Sequence, residues 1–154
     1  MTDISIEKVL SGDIYELTGL SIRSKAYWGY SDDFIQNCMQ ELTVTADDIN
    51  RSGLYYTAMN FDQTVGFYGL AKLSHRVFEL DRLYVDPEHI GKGIGRILIE
   101  HAIENVSRLG GHELIVQSDP HAREFYEAVG GVMYGEKESG SIPGRFLPML
   151  KFTI

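Results

Sequence analysis

Hydrophobic residues in the first third of the chain follow a strand period and then a helical one. Ile4, Ile6 and the pair Val9-Leu10 predict an opening strand, after which residues 11–13 offer a turn and a helix N-cap. Apolar residues then recur at helical spacing on either side of a break at residues 28–33: Ile14, Leu17, Leu20 and Ile22, then Phe34, Ile35, Cys38, Met39 and Leu42. A short turn of helix is predicted over residues 46–49.

From residue 54 onwards the pattern becomes that of strands. Residues 54–61, 64–73 and 77–85 predict a meander with short turns, and Pro87 ends the third strand because proline lacks the N–H that a ladder needs. The remaining elements alternate: a helix over 95–109, a strand over 114–116, a helix opened by Asp119-Pro120, and strands near 132–136 and 148–154. The first of these helices has one apolar face: Ile94, Leu98, Ala102, Val106 and Leu109. The order predicts a mixed α/β sandwich.

Length and composition fit one domain over residues 1–154. The chain has 154 residues, of which 44% are hydrophobic and 23% charged, as is ordinary for globular proteins. It has no apolar run near the ~18 residues that a membrane helix needs, and its first residues do not have the pattern of a signal peptide. The lone Cys38 cannot form an internal disulfide or anchor a zinc cluster. We therefore expect a cytoplasmic protein without a membrane partner.

Charge narrows the expected partners further. With 14 Lys and Arg against 22 Asp and Glu, the net formal charge is 14 − 22 = −8. Nucleic-acid binding draws much of its affinity from basic residues, so an acidic chain argues against it and mildly favours cationic or neutral substrates. The five histidines show no metal-ligand spacing, and no metal is expected. The frequency of two-fold assemblies leaves a homodimer open.

A glycine-rich segment follows the third predicted strand of the meander and opens a helix. In Gly91-Lys92-Gly93-Ile94-Gly95 the backbone can turn sharply, and the first helical amides lack internal partners at the positive end of the helix dipole. A pyrophosphate suits such a site, and Lys92 and Arg96 add positive charge. The dinucleotide fingerprint fails on spacing, because its third glycine would be Arg96 or Leu98. The NTPase phosphate loop fails because Gly93 follows Lys92; a connector that merely caps the helix remains an alternative.

The order of four segments carries a family resemblance. They are residues 80–87, residues 91–95, residues 118–126 (Ser-Asp-Pro-His-Ala-Arg-Glu-Phe-Tyr) and Gly130. Together they resemble the GNAT superfamily of GCN5-related N-acetyltransferases. The resemblance implies acetyl-CoA as cofactor and an amine as acceptor. It also implies a mostly antiparallel central sheet of about six or seven strands, splayed in the middle and flanked by about four helices.

The resemblance also assigns a cofactor site. It implies that main-chain groups of Leu83 and Val85 hold the thioester carbonyl and the pantetheine arm. The implied cofactor-binding residues are Leu83, Tyr84, Val85, Ile90, Gly91, Lys92, Gly93, Ile94, Gly95, Arg96, Asp119, Ala122 and Phe125. Two of these depart from the family pattern: Ile90 stands where the family has Gln or Arg, and Asp119 where many members have Asn.

Acetyl transfer to an amine requires a base, and strand alternation proposes one. Alternation over residues 77–85 places Glu79, Asp81, Leu83 and Val85 on one face, which the resemblance implies borders the active site. Two carboxylates there should raise each other's pKa. Glu79 is the first candidate base and Asp81 the second; a surface strand with solvated charges is the alternative. Tyr126 matches a family tyrosine that can protonate the departing thiolate, although its helical spacing equally suits core packing.

The acceptor site is the least defined part of the prediction. Tyr27, Trp28, Tyr30 and Arg145 are candidate substrate-binding residues: the aromatic group suits a cationic amine, and Arg145 could hold a carboxylate. A primary amine of a small molecule, an amino-acid-like acceptor and a protein amine all remain open. The alternative function is a CoA-binding sensor or interaction protein with little turnover, and a longer acyl group is a third possibility.

Overall fold

The structure, a computed structural model, describes residues 3–154 and contains a seven-stranded sheet in the order β1-β2-β3-β4-β5-β7-β6. The strands are β1 Ile4–Lys8, β2 Tyr55–Asn60, β3 Gln63–Lys72, β4 Val77–Val85, β5 Glu113–Gln117, β6 Val132–Glu138 and β7 Phe146–Thr153. All neighbouring strands in this sheet pair antiparallel except β4 and β5, which run parallel. The predicted mostly antiparallel mixed sheet is confirmed.

Six α-helices flank the sheet within the described residues. They are α1 Ile14–Ala26, α2 Asp32–Asn37, α3 Met39–Leu42, α4 Ala46–Ser52, α5 Ile94–Arg108 and α6 Arg123–Ala128. The second predicted helical stripe is divided because Cys38, with φ −95° and ψ 1°, interrupts the helical geometry between α2 and α3. The turn predicted over residues 46–49 extends to Ser52, since Thr45 and Asp48 form a capping box at its start. None of these helices has the length and apolar character needed to cross a membrane.

The two faces of the sheet carry different helices. Leu98, Ala102 and Val106 of α5 and Tyr126 of α6 pack with β3, β5 and β7 in the main core cluster. On the opposite face α1 and α4 cover β2 and β3 in a second cluster, which includes Leu17, Leu20, Ile49, Tyr55 and Phe67. Two predicted apolar positions lie outside the core. Leu109 follows the end of α5 and is 44% exposed, and Leu10 follows β1 and is 72% exposed.

A β-bulge in β4 changes which side chains share a face. Leu80 pairs with Leu70 and Arg82 with Gly69, so Asp81 is an extra residue without a partner on β3. The bulge reverses the alternation, and Leu83 and Val85 pack against the same cluster as Phe78 and Leu80. The predicted common face of Glu79, Asp81, Leu83 and Val85 is therefore wrong: Glu79 faces away from the side that Leu83 and Val85 occupy.

Gly69 makes room for the bulge and for the ring that lies beside it. The Tyr55 side chain is buried and its ring crosses Gly69, where an added Cβ would come within 2.4 Å of the ring. The Tyr55 hydroxyl donates to the Asp81 carboxylate at 3.0 Å and also accepts from Arg82. The same arginine bonds to the backbone oxygens of Glu41 and Thr43, which fixes the segment between α3 and α4.

We predict that Gly69→Ala lowers the free energy of unfolding by about 1–3 kcal/mol, because the new methyl group overpacks the Tyr55 ring. Chemical denaturation at neutral pH measures the change. Gly140→Ala is the matched control, since no heavy atom of the described residues lies within 4 Å of the position that its Cβ would take. Equal stabilities for the two variants would contradict the close approach of Tyr55.

Candidate active site

A gap in the sheet opens into a cavity that the described residues line. β4 and β5 pair over Val77–Glu79 and Glu113–Ile115; beyond this, β4 stays paired with β3 while β5 stays paired with β7. The two strands diverge, and a cavity of about 670 Å³ opens between them. Its wall includes the outer half of β4, the end of β5 and the first turns of α5 and α6. The gap leaves main-chain groups of both strands unpaired within the sheet.

The direction of the β4 amides can be read from its last bond to β3. The Asp86 N–H donates to the Val65 carbonyl at 2.8 Å, toward β3. Because amides alternate in direction along an antiparallel strand, the main-chain groups of Leu83 and Val85 point away from β3 and into the gap. This direction agrees with the role that the family resemblance implies for these two residues.

The glycine segment lies at one end of the cavity. Gly91 and Gly93 have φ values of +83° and +81°, a region that L-residues with side chains rarely adopt. Gly93 is the N-cap of α5 without a side-chain cap, and the amides of residues 91–96 donate to no backbone carbonyl of residues 3–154. The end of the preceding strand is tied down by Asp86, whose carboxylate accepts from the Glu88 N–H and from Arg23, each at 3.0 Å. Free amides at a fixed helix start can bind an anion.

The predicted cofactor residues collect around this cavity. All of them except Lys92 line it, and they span both sides of the gap. Ile90 is 40% exposed and presents an apolar side chain where the family pattern has Gln or Arg. The groups at this end that can contact an anion are the backbone amides and Arg96, whose guanidinium also reaches Glu100 at 3.8 Å.

The two candidate bases, Glu79 and Asp81, differ in whether other side chains hydrogen-bond to their carboxylates. Glu79 lines the cavity, and burial followed by the nearby Asp81 charge raises the pKa of its carboxyl above the ordinary value. Asp81 also lines the cavity, but its carboxylate accepts from Tyr55 and, at 3.2 Å, from Arg82. Glu79 makes no such side-chain hydrogen bond within residues 3–154, so it is the carboxylate available to take a proton.

Tyr126 lies in α6, with its ring in the main core cluster and its surface on the cavity wall. Burial, with a smaller effect of the Asp119 charge, raises the pKa of Tyr126, so the phenol stays protonated at neutral pH. The ring is 6% exposed and stacks edge-on against Phe125 at 5.1 Å between centroids. Tyr126 is thus packed in the core and also borders the gap.

One of the four predicted acceptor residues lines the cavity and the other three do not. Trp28 lines the cavity and stacks on His121 with ring centroids 5.0 Å apart and nearly parallel planes. Tyr27 is exposed beside it, while Tyr30 and Arg145 bond to each other at 2.7 Å. These last three residues do not line the cavity that the described residues form.

Sequence reasoning missed Lys25. This lysine is in the last turn of α1, is buried, and lines the cavity, where its Nζ lies 2.7 Å from the Asp119 carboxylate. A lysine near a helix C-terminus is an ordinary residue type at that position, so no local pattern indicates the pairing with Asp119. His89 also lines the cavity, and its Nδ1 is buried without a hydrogen-bond partner in the described residues.

Known proteins that are similar to this chain in sequence or in fold include N-acetyltransferases. The acetyltransferase (GNAT) domain family matches residues 24–151. The peptidyl-lysine N-acetyltransferase YjaB of Escherichia coli is 30% identical over 134 residues, which cover 83% of this chain and 86% of that protein. The crystal structure of the PaiA N-acetyltransferase from Thermoplasma acidophilum in complex with coenzyme A superposes with a TM-score of 0.83 at 22% identity. It covers 99% of this chain and 100% of the other.

A second solved structure extends the comparison of the fold. A GNAT family acetyltransferase from Elizabethkingia anophelis, crystallised with acetyl-CoA bound, has a TM-score of 0.72 at 17% identity and full coverage of both chains. The match over residues 24–151 includes the diverging strands, the glycine segment and α6, which carry the resemblance. The chain therefore belongs to the GNAT family of acetyltransferases.

Proposed function

We propose that the protein is an acetyl-CoA-dependent N-acetyltransferase that moves an acetyl group to a primary amine. The observation that carries this proposal is the gap between β4 and β5, into which the Leu83 and Val85 main-chain groups point, and which ends at the free amides of the glycine segment. A long ligand with amides along its arm and a pyrophosphate at its end matches both features. Relatives crystallised with coenzyme A or acetyl-CoA support the same assignment.

The cofactor would be held largely by the backbone. The pyrophosphate would lie at the amides of the glycine segment, and the pantetheine arm would pair with the open edge of β4. The Leu83 N–H is the candidate donor to the oxyanion that forms when the thioester carbonyl is attacked. Ile90 contributes apolar contact rather than a charge, so loss of the usual side chain leaves these backbone contacts in place.

The reaction would proceed by direct attack. The amine must first lose a proton, because an alkylammonium with a pKa near ~10.4 has no lone pair. Glu79 would accept this proton, directly or through a water. The amine nitrogen then bonds to the carbonyl carbon, the C–S bond breaks, and the thiolate takes a proton from Tyr126. The nitrogen loses its surplus proton to solvent as the amide forms, and solvent returns a proton to the Tyr126 phenolate and removes the one held by Glu79.

The bulge at Asp81 places the proposed cofactor contacts and the proposed base on different faces of β4. The cofactor would pair with main-chain groups of Leu83 and Val85, whose side chains pack toward α5, while Glu79 is on the opposite face of β4. Acceptor and cofactor could therefore approach the gap from different sides. A lysine side chain is the first acceptor to test, since the Escherichia coli relative is named a peptidyl-lysine N-acetyltransferase; small-molecule amines and amino acids come next.

A thermal melt tests whether the protein binds the cofactor. Acetyl-CoA at 100 times its Kd adds about 2.7 kcal/mol of stability, which for a chain of this size raises the Tm by roughly 5–11 °C. Free CoA should raise the Tm and NADH should not. A free-thiol assay with a lysine peptide, a polyamine and amino acids then detects turnover. Binding without thiol release from any amine would support a sensor, and no Tm shift at millimolar CoA would contradict the proposal.

Glu79→Gln tests the base through activity and stability together. The raised pKa of Glu79 means that the folded state binds its proton more tightly than the unfolded state, so the ionised form costs stability above that pKa. The variant should therefore gain Tm at pH 8 but little at pH 4. Its kcat/KM should fall on the order of 100-fold. The pH profile of kcat/KM should also lose the acidic limb that the wild-type profile has.

The control for this variant is Glu136→Gln on β6, which neutralises an exposed carboxylate away from the cavity lining. It should leave the pH profile unchanged and the Tm within about 2 °C. A Glu79→Gln enzyme with the wild-type pH profile would exclude Glu79 as the base.

Tyr126→Phe tests the acid. The ring packing is retained while the proton donor is lost, so kcat should fall roughly tenfold or more while the acetyl-CoA Kd stays within about twofold. Tyr15→Phe, at a side chain that is 87% exposed, is the matched control and should not change kcat. An unchanged kcat in Tyr126→Phe would restrict this residue to core packing.

A further inference from the structure

Four side chains form a charged cluster at the edge of the cavity. Lys25 donates to Asp119 Oδ2 at 2.7 Å, and the Tyr30 hydroxyl lies 3.0 Å from the same oxygen. Arg145 donates to the Tyr30 hydroxyl at 2.7 Å and approaches Asp119 Oδ2 at 3.6 Å. We call these four residues, Lys25, Tyr30, Asp119 and Arg145, the Asp119 clasp.

The Asp119 clasp joins parts of the chain that the sheet does not hold together. Lys25 ends α1, which packs on β4, whereas Asp119 follows β5. The direct pairing of β4 with β5 stops at Glu79 and Ile115, so the Lys25–Asp119 ion pair crosses the gap beyond the point where main-chain bonds stop. Arg145 adds the connection between β6 and β7 to the same carboxylate.

The clasp is well shielded from solvent. The side chains of Lys25, Asp119 and Arg145 are 9%, 16% and 18% exposed. Arg145 lies over the Phe34 ring, with its guanidinium carbon 4.9 Å from the ring centroid, and Tyr30 stacks on Phe34 at 4.2 Å. Ion pairs at this depth are strongly coupled, because removing one partner leaves the other charge buried without compensation.

Both carboxylate oxygens of Asp119 are already in use. Oδ2 accepts from Lys25 and Tyr30, and Oδ1 accepts from the His121 N–H at 2.9 Å. Burial alone would raise the pKa of Asp119, but the hydrogen bond and charge of Lys25, together with the hydrogen bonds from the His121 N–H and the Tyr30 hydroxyl, lower that pKa overall, so the group is ionised. Burial and the Asp119 charge raise the pKa of Tyr30 to about 12, which keeps its hydroxyl a donor.

The hydrogen bonds that Asp119 already accepts leave its carboxylate little capacity to bind a cofactor. The residues that make these contacts also lie on both sides of Trp28. Trp28 lies between Lys25 and Tyr30 in the chain and stacks on His121, which follows Asp119. Of the four candidate acceptor residues, Trp28 is the one on the cavity wall. We propose that the Asp119 clasp links the two sides of the sheet gap beyond the last β4–β5 pairing and positions Trp28 as the acceptor wall, so that Asp119 is a positioning residue and not a cofactor ligand. The acceptor part of this proposal rests on the proposed function.

A double-mutant cycle on the ligand-free protein tests the clasp itself. Lys25→Met and Asp119→Asn should each lower the Tm by roughly 5–10 °C, and the double variant should lose at least ~3 °C less than the sum. Lys25→Arg keeps the charge and should retain most of the wild-type Tm. Should Lys25→Met not fold, Lys25→Gln replaces it in the cycle.

A second lysine–carboxylate pair provides the matched control. Lys151 and Glu113 lie 3.9 Å apart with side chains 40% and 37% exposed. The cycle of Lys151→Met and Glu113→Gln should be additive within about 1–2 °C, because exposed pairs contribute little. Coupling at Lys25–Asp119 no larger than in this control would overturn the clasp.

Kinetics below the lowest variant Tm separate positioning from cofactor binding. Asp119→Asn should raise the KM for the amine at least fivefold while the acetyl-CoA Kd, measured by thermal shift, stays within twofold. A tenfold weaker acetyl-CoA Kd with an unchanged amine KM would overturn the proposal and make Asp119 a cofactor ligand. A wild-type protein without CoA binding or turnover overturns the proposed function and the acceptor wall, whereas additive Tm losses in an active enzyme overturn the clasp alone.

Discussion

The short pairing between β4 and β5 is the constraint on which the rest of the structure depends. Two parallel strands that stay together over Val77–Glu79 and Glu113–Ile115 hold the two halves of the sheet as one unit. Where they diverge, backbone donors and acceptors lose their strand partners, and such groups are costly if they are buried without a substitute. The gap is therefore stable only as a place that water or a ligand with its own amides can enter. The glycine segment, Tyr126 and Lys25 all line the cavity that this divergence opens.

The bulge at Asp81 determines which side chains of β4 lie on each face of the sheet beside the gap. Without the extra residue, Glu79 would face the same way as Leu83, and base and cofactor contacts would share one surface. With it, Leu83 and Val85 pack toward α5 while Glu79 stays on the other face, where burial keeps its pKa raised. The bulge is itself held by contacts outside β4, since the Tyr55 ring crosses Gly69 and its hydroxyl bonds to Asp81.

These two features mark the boundary of what could be predicted from the sequence. The helical stripe of α5, the glycine segment and the Asp119-Pro120 start are local signals, and each is confirmed within a residue or two. The bulge was not predicted, because it depends on Gly69 in the neighbouring strand and on Tyr55 in the strand beyond it. Leu109 was misplaced for a simpler reason: the helical spacing continues past the residue at which α5 ends. The partners of Asp119 were missed because they come from α1 and from the connection before β7, far away in sequence.

The identity of residue 119 follows from the same distant contacts. An asparagine could cap the turn at Pro120 as well as an aspartate, but it would leave the charges of Lys25 and Arg145 shielded from solvent without an anion. Two cations around one carboxylate retain a net positive charge, which in a chain of net charge −8 is unusual next to a cavity. After burial, the Asp119 charge is the further cause that raises the pKa of Tyr126. The ion pairs with Lys25 and Arg145 thus give a structural reason for an aspartate rather than an asparagine at residue 119.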